Sequence, residues 1–182
     1  MSESEFTLLG DAVWLDFVNT ARGRVSSPPE LLPDLAAVGR WARAQSLGWI
    51  DDNGVALTEV LGFRDLLTAL AEALHSDAQP PASSISAINE QLSRNGGAHQ
   101  LTRLSGEWQL RFAPDRPPAL LEAIAQSAAA ALADPLLFVR RCAGERCSLF
   151  FTDSSPNQGR RWCNAAVCGL QVKVERRRGL LR

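Results

Sequence analysis

The 182-residue chain has only two histidines, and no cysteine occurs before position 142. His75 and His99 have no metal-ligating residue at a useful spacing, so the first 139 residues lack both a metal motif and a catalytic set. Gly96-Gly97 lacks the pattern of a phosphate-binding loop and reads as a turn. Lysine is almost missing: 18 of the 19 basic residues are arginine, so arginine content by itself is no recognition signature. No apolar run is long enough for a bilayer, because the longest, 125–139, is broken by Asp134 and Pro135. The first sixteen residues carry Glu3, Glu5, Asp11 and Asp16 rather than a basic stretch, which argues against a signal peptide and for a cytoplasmic protein.

What is present is enough for one sizeable core with a small appendage: 46% of the residues are hydrophobic and 21% charged. The net charge of −1 conceals a split. Residues 1–139 hold 9 basic and 17 acidic side chains, whereas 140–182 hold 10 basic and 3 acidic. All four cysteines lie in that basic end. Charge and thiols together place the chemistry there.

The N-terminal part reads as a mostly helical α+β body. Residues 7–20 suggest a short strand leading into a helix or turn. Asp34 opens a helix through Leu35, Val38, Trp41 and Ala42 that stops at Gly48. Between Asn53 and His75, Leu57, Val60, Leu61, Phe63, Leu67, Leu70 and Leu74 keep a helical period. Ser83 or Ser84 is placed to cap a further helix that ends at Gly96-Gly97. His99–Leu104 and Trp108–Phe112 alternate around Ser105-Gly106, which predicts a β-hairpin with Leu101, Trp108, Leu110 and Phe112 facing the core. Pro117-Pro118 opens an alanine-rich helix closed by Asp134-Pro135. Asp16, Asn19 and Thr20 could line a pocket for a small polar ligand, or simply bond the nearby backbone.

Cys142 and Cys147 are separated by four residues, as are Cys163 and Cys168, with fifteen between the pairs. Two such pairs are what a closed tetrahedral zinc site requires, and four sulfurs leave no open position for catalysis. An iron–sulfur cluster is the other metal that four thiolates could hold. Between the pairs, Ser148–Thr152 reads as a strand and 153–159 as a turn. So small a piece would take its stability from the metal. Arg140, Arg141, Arg146, Arg160, Arg161, Lys173, Arg176, Arg177, Arg178 and Arg182 surround it. If 167–178 is helical, Lys173, Arg176 and Arg177 share a face suited to a nucleic-acid backbone, or to docking on the acidic body.

Arg141-Cys-Ala-Gly-Glu-Arg-Cys147, Phe151-Thr-Asp-Ser-Ser155, Arg160-Arg-Trp-Cys163 and Val167-Cys-Gly169 with Lys173 resemble the CGNR zinc finger. Trp14-Leu-Asp-Phe-Val-Asn-Thr20 is similar to the opening motif of the ABATE domain, which precedes that finger in bacterial stress-induced transcription regulators. The resemblance implies an ABATE-like domain over 1–137 and a treble-clef or ribbon-like zinc module over 138–182. It also implies one structural zinc on Cys142, Cys147, Cys163 and Cys168, with Arg160, Arg161 and Lys173 on a DNA-facing surface beside Arg176, Arg177 and Arg178. The Cys-Gly-Asn-Arg that names the finger reads Cys168-Gly-Leu-Gln171 here, so the family's arginine is missing. The expectation is a non-enzymatic regulator that binds DNA through the finger and senses a ligand or assembles through the body. The alternative is a finger that is structural or binds protein.

Overall fold

The computed structural model describes residues 5–23, 30–47 and 54–177. Helices α1 (Val13–Val18), α2 (Leu35–Ala44), α3 (Leu57–His75) and α4 (Ala82–Ser93) are followed by a hairpin of β1 (Gly97–Leu104) and β2 (Glu107–Pro114). Then come α5 (Leu120–Ala133), the antiparallel pair β3 (Phe138–Arg141) and β4 (Phe150–Asp153), and α6 (Leu170–Arg177). Among the described residues no helix is long and apolar enough to cross a membrane.

Local chemistry accounts for three of these boundaries. Asp34 caps α2 by accepting the Ala37 N–H at 2.7 Å. Glu122 reaches back to the Ala119 N–H at 2.9 Å and pairs with Arg116, closing the first turn of α5 behind Pro117-Pro118. Ser105 and Gly106 both take positive φ, 51° and 89°, which gives the hairpin the tight turn whose twist matches its strands. The stop expected at Gly48 and the helix start expected from Asn53 lie outside the described residues.

Three expectations are corrected. Of the short strand leading into a helix or turn expected over 7–20, the helix forms over 13–18, but no strand precedes it among the described residues. Trp14, Leu15, Phe17 and Val18 are all buried, so the segment has no polar face whose period could have distinguished the two. Neither Ser83 nor Ser84 caps α4: Pro81 stands at its N-cap, and the buried Ser84 hydroxyl donates to the Leu66 carbonyl at 2.8 Å. The hairpin forms about the expected Ser105-Gly106 turn, but Leu101, Trp108, Leu110 and Phe112 face solvent rather than the core.

The main core gathers Trp14, Phe17 and Trp41 with Val60, Phe63, Leu67 and Leu70 of α3 and Ile124, Ala125 and Ala128 of α5. It continues through Val139 and Phe150, so the β3–β4 hairpin closes one side of the helical body. A second core consists of the four cysteines with Leu149 and Phe151. Successive strand side chains point to opposite faces. β4 is therefore the wall between the two cores, with Phe150 on one side and Phe151 on the other.

Candidate metal centre and nucleic-acid interface

Cys142 directly follows β3 and Cys147 follows a tight turn, in which the Cys147 N–H donates to the Gly144 carbonyl at 2.9 Å. The Cys142 N–H donates to Leu149 at 2.9 Å, which folds the turn back on the strand pair. Gly144 lies where this turn passes Cys168, and a Cβ there would sit 3.4 Å from the Cys168 Cβ. The second pair comes from the other end of the module. The Asn164 side chain accepts the Ala166 and Val167 N–H groups at 2.9 and 3.2 Å, starting a π-helical turn over Ala165–Gly169 that carries Cys168 and runs into α6. Trp162 packs its ring against Gly169.

The four Sγ atoms all lie within 4.8 Å of one another, with Cys147–Cys163 at 3.8 Å and Cys163–Cys168 at 3.7 Å. Four sulfurs placed tetrahedrally about 2.3 Å from one zinc stand about 3.8 Å apart. The separations fit a single ion, and they are too long for disulfides, whose sulfurs sit about 2.05 Å apart. Packed this closely, the thiols perturb one another. Hydrogen bonds from the neighbouring Cys147 and Cys163 thiols pull Cys142 down to about 2, while the same contact pushes Cys147 up to about 12. Cys163 is raised through Cys142 and Cys147, and Cys168 by burial. Four thiolates at this spacing need a cation among them.

Around the site, Asp153 has a fully buried side chain that burial alone would push toward protonation. The Ser155 hydroxyl and N–H, at 2.6 and 3.0 Å, the Arg160 N–H at 3.0 Å, and the nearby Arg140 charge hold it below the usual carboxylate range. This is the Asp-Ser turn noted in the sequence.

The sequence-predicted basic residues divide by role. The Arg160 guanidinium donates to the carbonyls of Cys163 at 2.6 Å and Trp162 at 3.1 Å, pairs with Asp11, and stacks 4.5 Å above Phe151. It ties the metal loop to the body. Arg161 is exposed beside Trp162, with its guanidinium 5.4 Å from that ring. Lys173 and Arg177 are exposed one turn apart on α6, and Arg141 and Arg146 are exposed on the turn side. Arg176 lies in α6, and Arg178 and Arg182 are outside the described residues.

Asp16, Asn19 and Thr20 are brought together and buried, and each spends its polar atoms inside the protein. Asp16 accepts the Gly10 N–H at 2.7 Å and the Gln45 amide at 2.9 Å, while burial nevertheless pushes its carboxyl up. A Cβ on Gly10 would come within 2.8 Å of the Leu15 Cβ, so only glycine allows this closure. Thr20 donates to the Phe17 carbonyl at 2.7 Å and accepts from the buried Arg64 at 2.9 Å. Asn19 spans 131 residues of sequence to β4: its amide donates to the Phe150 carbonyl at 2.8 Å and its oxygen accepts the Phe150 N–H at 2.9 Å. Thr152 adds a bond to the Gly10 carbonyl, and Arg22 stacks 4.5 Å over Phe150. The N-terminal motif is thus the seat on which the cysteine module rests. The local sequence did not reveal that role, since the partner lies in another segment.

Two family models match. One, described as "Putative stress-induced transcription regulator", is ABATE and covers residues 11–135. The other is the CGNR zinc finger, over residues 139–179. No curated relative matches the chain.

Proposed function

Because the chain belongs to the ABATE family of stress-induced transcription regulators and ends in a CGNR zinc finger, we propose that it is a non-enzymatic regulator whose finger binds DNA. One zinc ion on Cys142, Cys147, Cys163 and Cys168 holds the finger together. The body, up to about residue 137, receives a small ligand or mediates assembly. The cytoplasm, where thiols stay reduced, suits such a site.

The observation that carries the reading is the exposure of Arg141, Arg146, Arg161, Lys173 and Arg177 around the thiolate cluster. Cations of this kind contact phosphates and fix a protein on a duplex without reading sequence. Arg160 is not among the contacts proposed, because its donors are already used within the chain.

Anisotropy of a labelled mixed-sequence duplex across a salt series tests the proposal. Five phosphate contacts give a slope of log K against log salt of about −4 to −5. Lys173→Glu and Arg177→Glu should each weaken binding and reduce the slope by about one. No binding at low salt by protein shown to hold zinc would refute it. The second reading, a finger that contacts protein, draws on Leu170 and Gln171, both exposed where the family name places Asn and Arg. It would then be preferred.

A further inference from the structure

We propose that the β1–β2 hairpin is a self-association surface, and that its occupant is the same hairpin of a second copy of this chain. The inference does not depend on DNA binding.

In the antiparallel register, His99 faces Phe112, Leu101 faces Leu110 and Arg103 faces Trp108. Residues opposite one another share a face, so these six side chains form a single surface. The other face carries Gln100 with Arg111 and Thr102 with Gln109. The hairpin is therefore amphipathic, yet its apolar face is bare: Leu110 is 69% exposed, Trp108 65%, Leu101 63% and Phe112 52%. A two-stranded hairpin is marginal in water unless something covers its apolar face. Among the described residues it is held at its base, where Asp115 donates to the Gly96 carbonyl at 2.8 Å and Asn95 to that of Arg116 at 3.0 Å.

Area and pattern select a second copy. The four apolar side chains expose on the order of 500 Å², as much as the largest patch on an ordinary monomer. Two copies together would bury about 1,000 Å², the lower limit for a specific interface. The surface is also self-complementary. A two-fold axis along the strands lays Leu101 on the partner's Leu110, Arg103 on the partner's Trp108 and His99 on the partner's Phe112. Each polar group then meets an aromatic ring, the kind of contact it already makes within one hairpin: Arg103 lies 5.9 Å from the Trp108 ring and His99 5.8 Å from that of Phe112. No cation is set on its own copy. Two such sheets, packed about 10 Å apart, make a small β-sandwich.

Sedimentation equilibrium of the full, metal-loaded chain from about 1 to about 200 µM covers the affinity range of so small an interface. The mass should rise from 19.7 kDa toward twice that value. Leu101→Lys and Leu110→Glu, each alone, should weaken dimerisation at least about 100-fold, as expected for substitutions at the centre of an interface. Their thermal midpoints at low concentration should match the parent, since both positions are solvent-exposed in the monomer. An equimolar mixture of the two variants should restore the heavier species, because the new lysine meets the partner's new glutamate. A parent that stays monomeric at the highest concentration, variants that still dimerise, or a mixture that remains monomeric would each overturn the proposal.

Discussion

Asn19 does for β4 what a neighbouring strand would do, giving one acceptor and one donor to the two backbone groups of Phe150. Both groups are buried, so nothing replaces the amide once it is removed. Asn19→Ala should cost about 2–4 kcal/mol in urea unfolding, the sum of two buried groups left unpaired. Asn19→Asp keeps an acceptor for the Phe150 N–H but turns a second oxygen toward the Phe150 carbonyl, so it should recover only part of the loss. An Asn19→Ala protein as stable as the parent would show that the bridge contributes nothing. Arg160 illustrates the same principle from the opposite side of the interface: its charge suggests a phosphate contact, whereas its geometry is that of a clamp with Asp11 and the Cys163 carbonyl as its anchors.

For single elements, the start of α5 offers the clearest pH dependence. Hydrogen bonds from Arg116 hold the buried Glu122 carboxyl below the ordinary glutamate range; burial opposes this, and the Ala119 N–H assists. A depressed folded-state value means the stabilisation is complete above the unfolded glutamate value, about 4.3, and disappears as the pH falls through the lower folded value. Glu122→Gln should therefore be less stable than the parent at pH 7 by about 1–3 kcal/mol, with the gap shrinking below about pH 4. Urea curves of both proteins at each pH check it; a gap that stays constant with pH would remove the carboxylate from the account. The elements legible in the sequence were those with their own local signal. Asp34 announced α2, the apolar period announced α3, and the two cysteine pairs announced a metal site that the sulfur separations now fit. What could not be read was set by distant partners. α1 is buried from Trp14 to Val18 and so has no polar face to betray its period, and the exposure of Leu101, Trp108, Leu110 and Phe112 departs from the usual meaning of alternation, which shows that a strand has two faces but not whether either is covered.

Across the whole molecule, the decisive feature is that β4 belongs to both cores, with Phe150 among the helices and Phe151 among the cysteines. Although one family model ends at residue 135 and the other begins at 139, the buried apolar contacts cross that boundary at Val139 and Phe150. A metal that binds the folded site more tightly than the unfolded chain supports whatever unfolds together with the site. If β4 couples the cores, calorimetry of the metal-loaded chain should show one cooperative transition, and a chelator should lower that whole transition rather than split off a small one. The buried Trp14 and Trp41, both in the helical core, provide an optical check, since their fluorescence should change at the same reduced temperature as the loss of far-ultraviolet signal. Two transitions, of which only the smaller responds to the chelator, would mean that the bonds from Asn19, Gly10 and Arg22 hold two independent units in contact without making them fold as one.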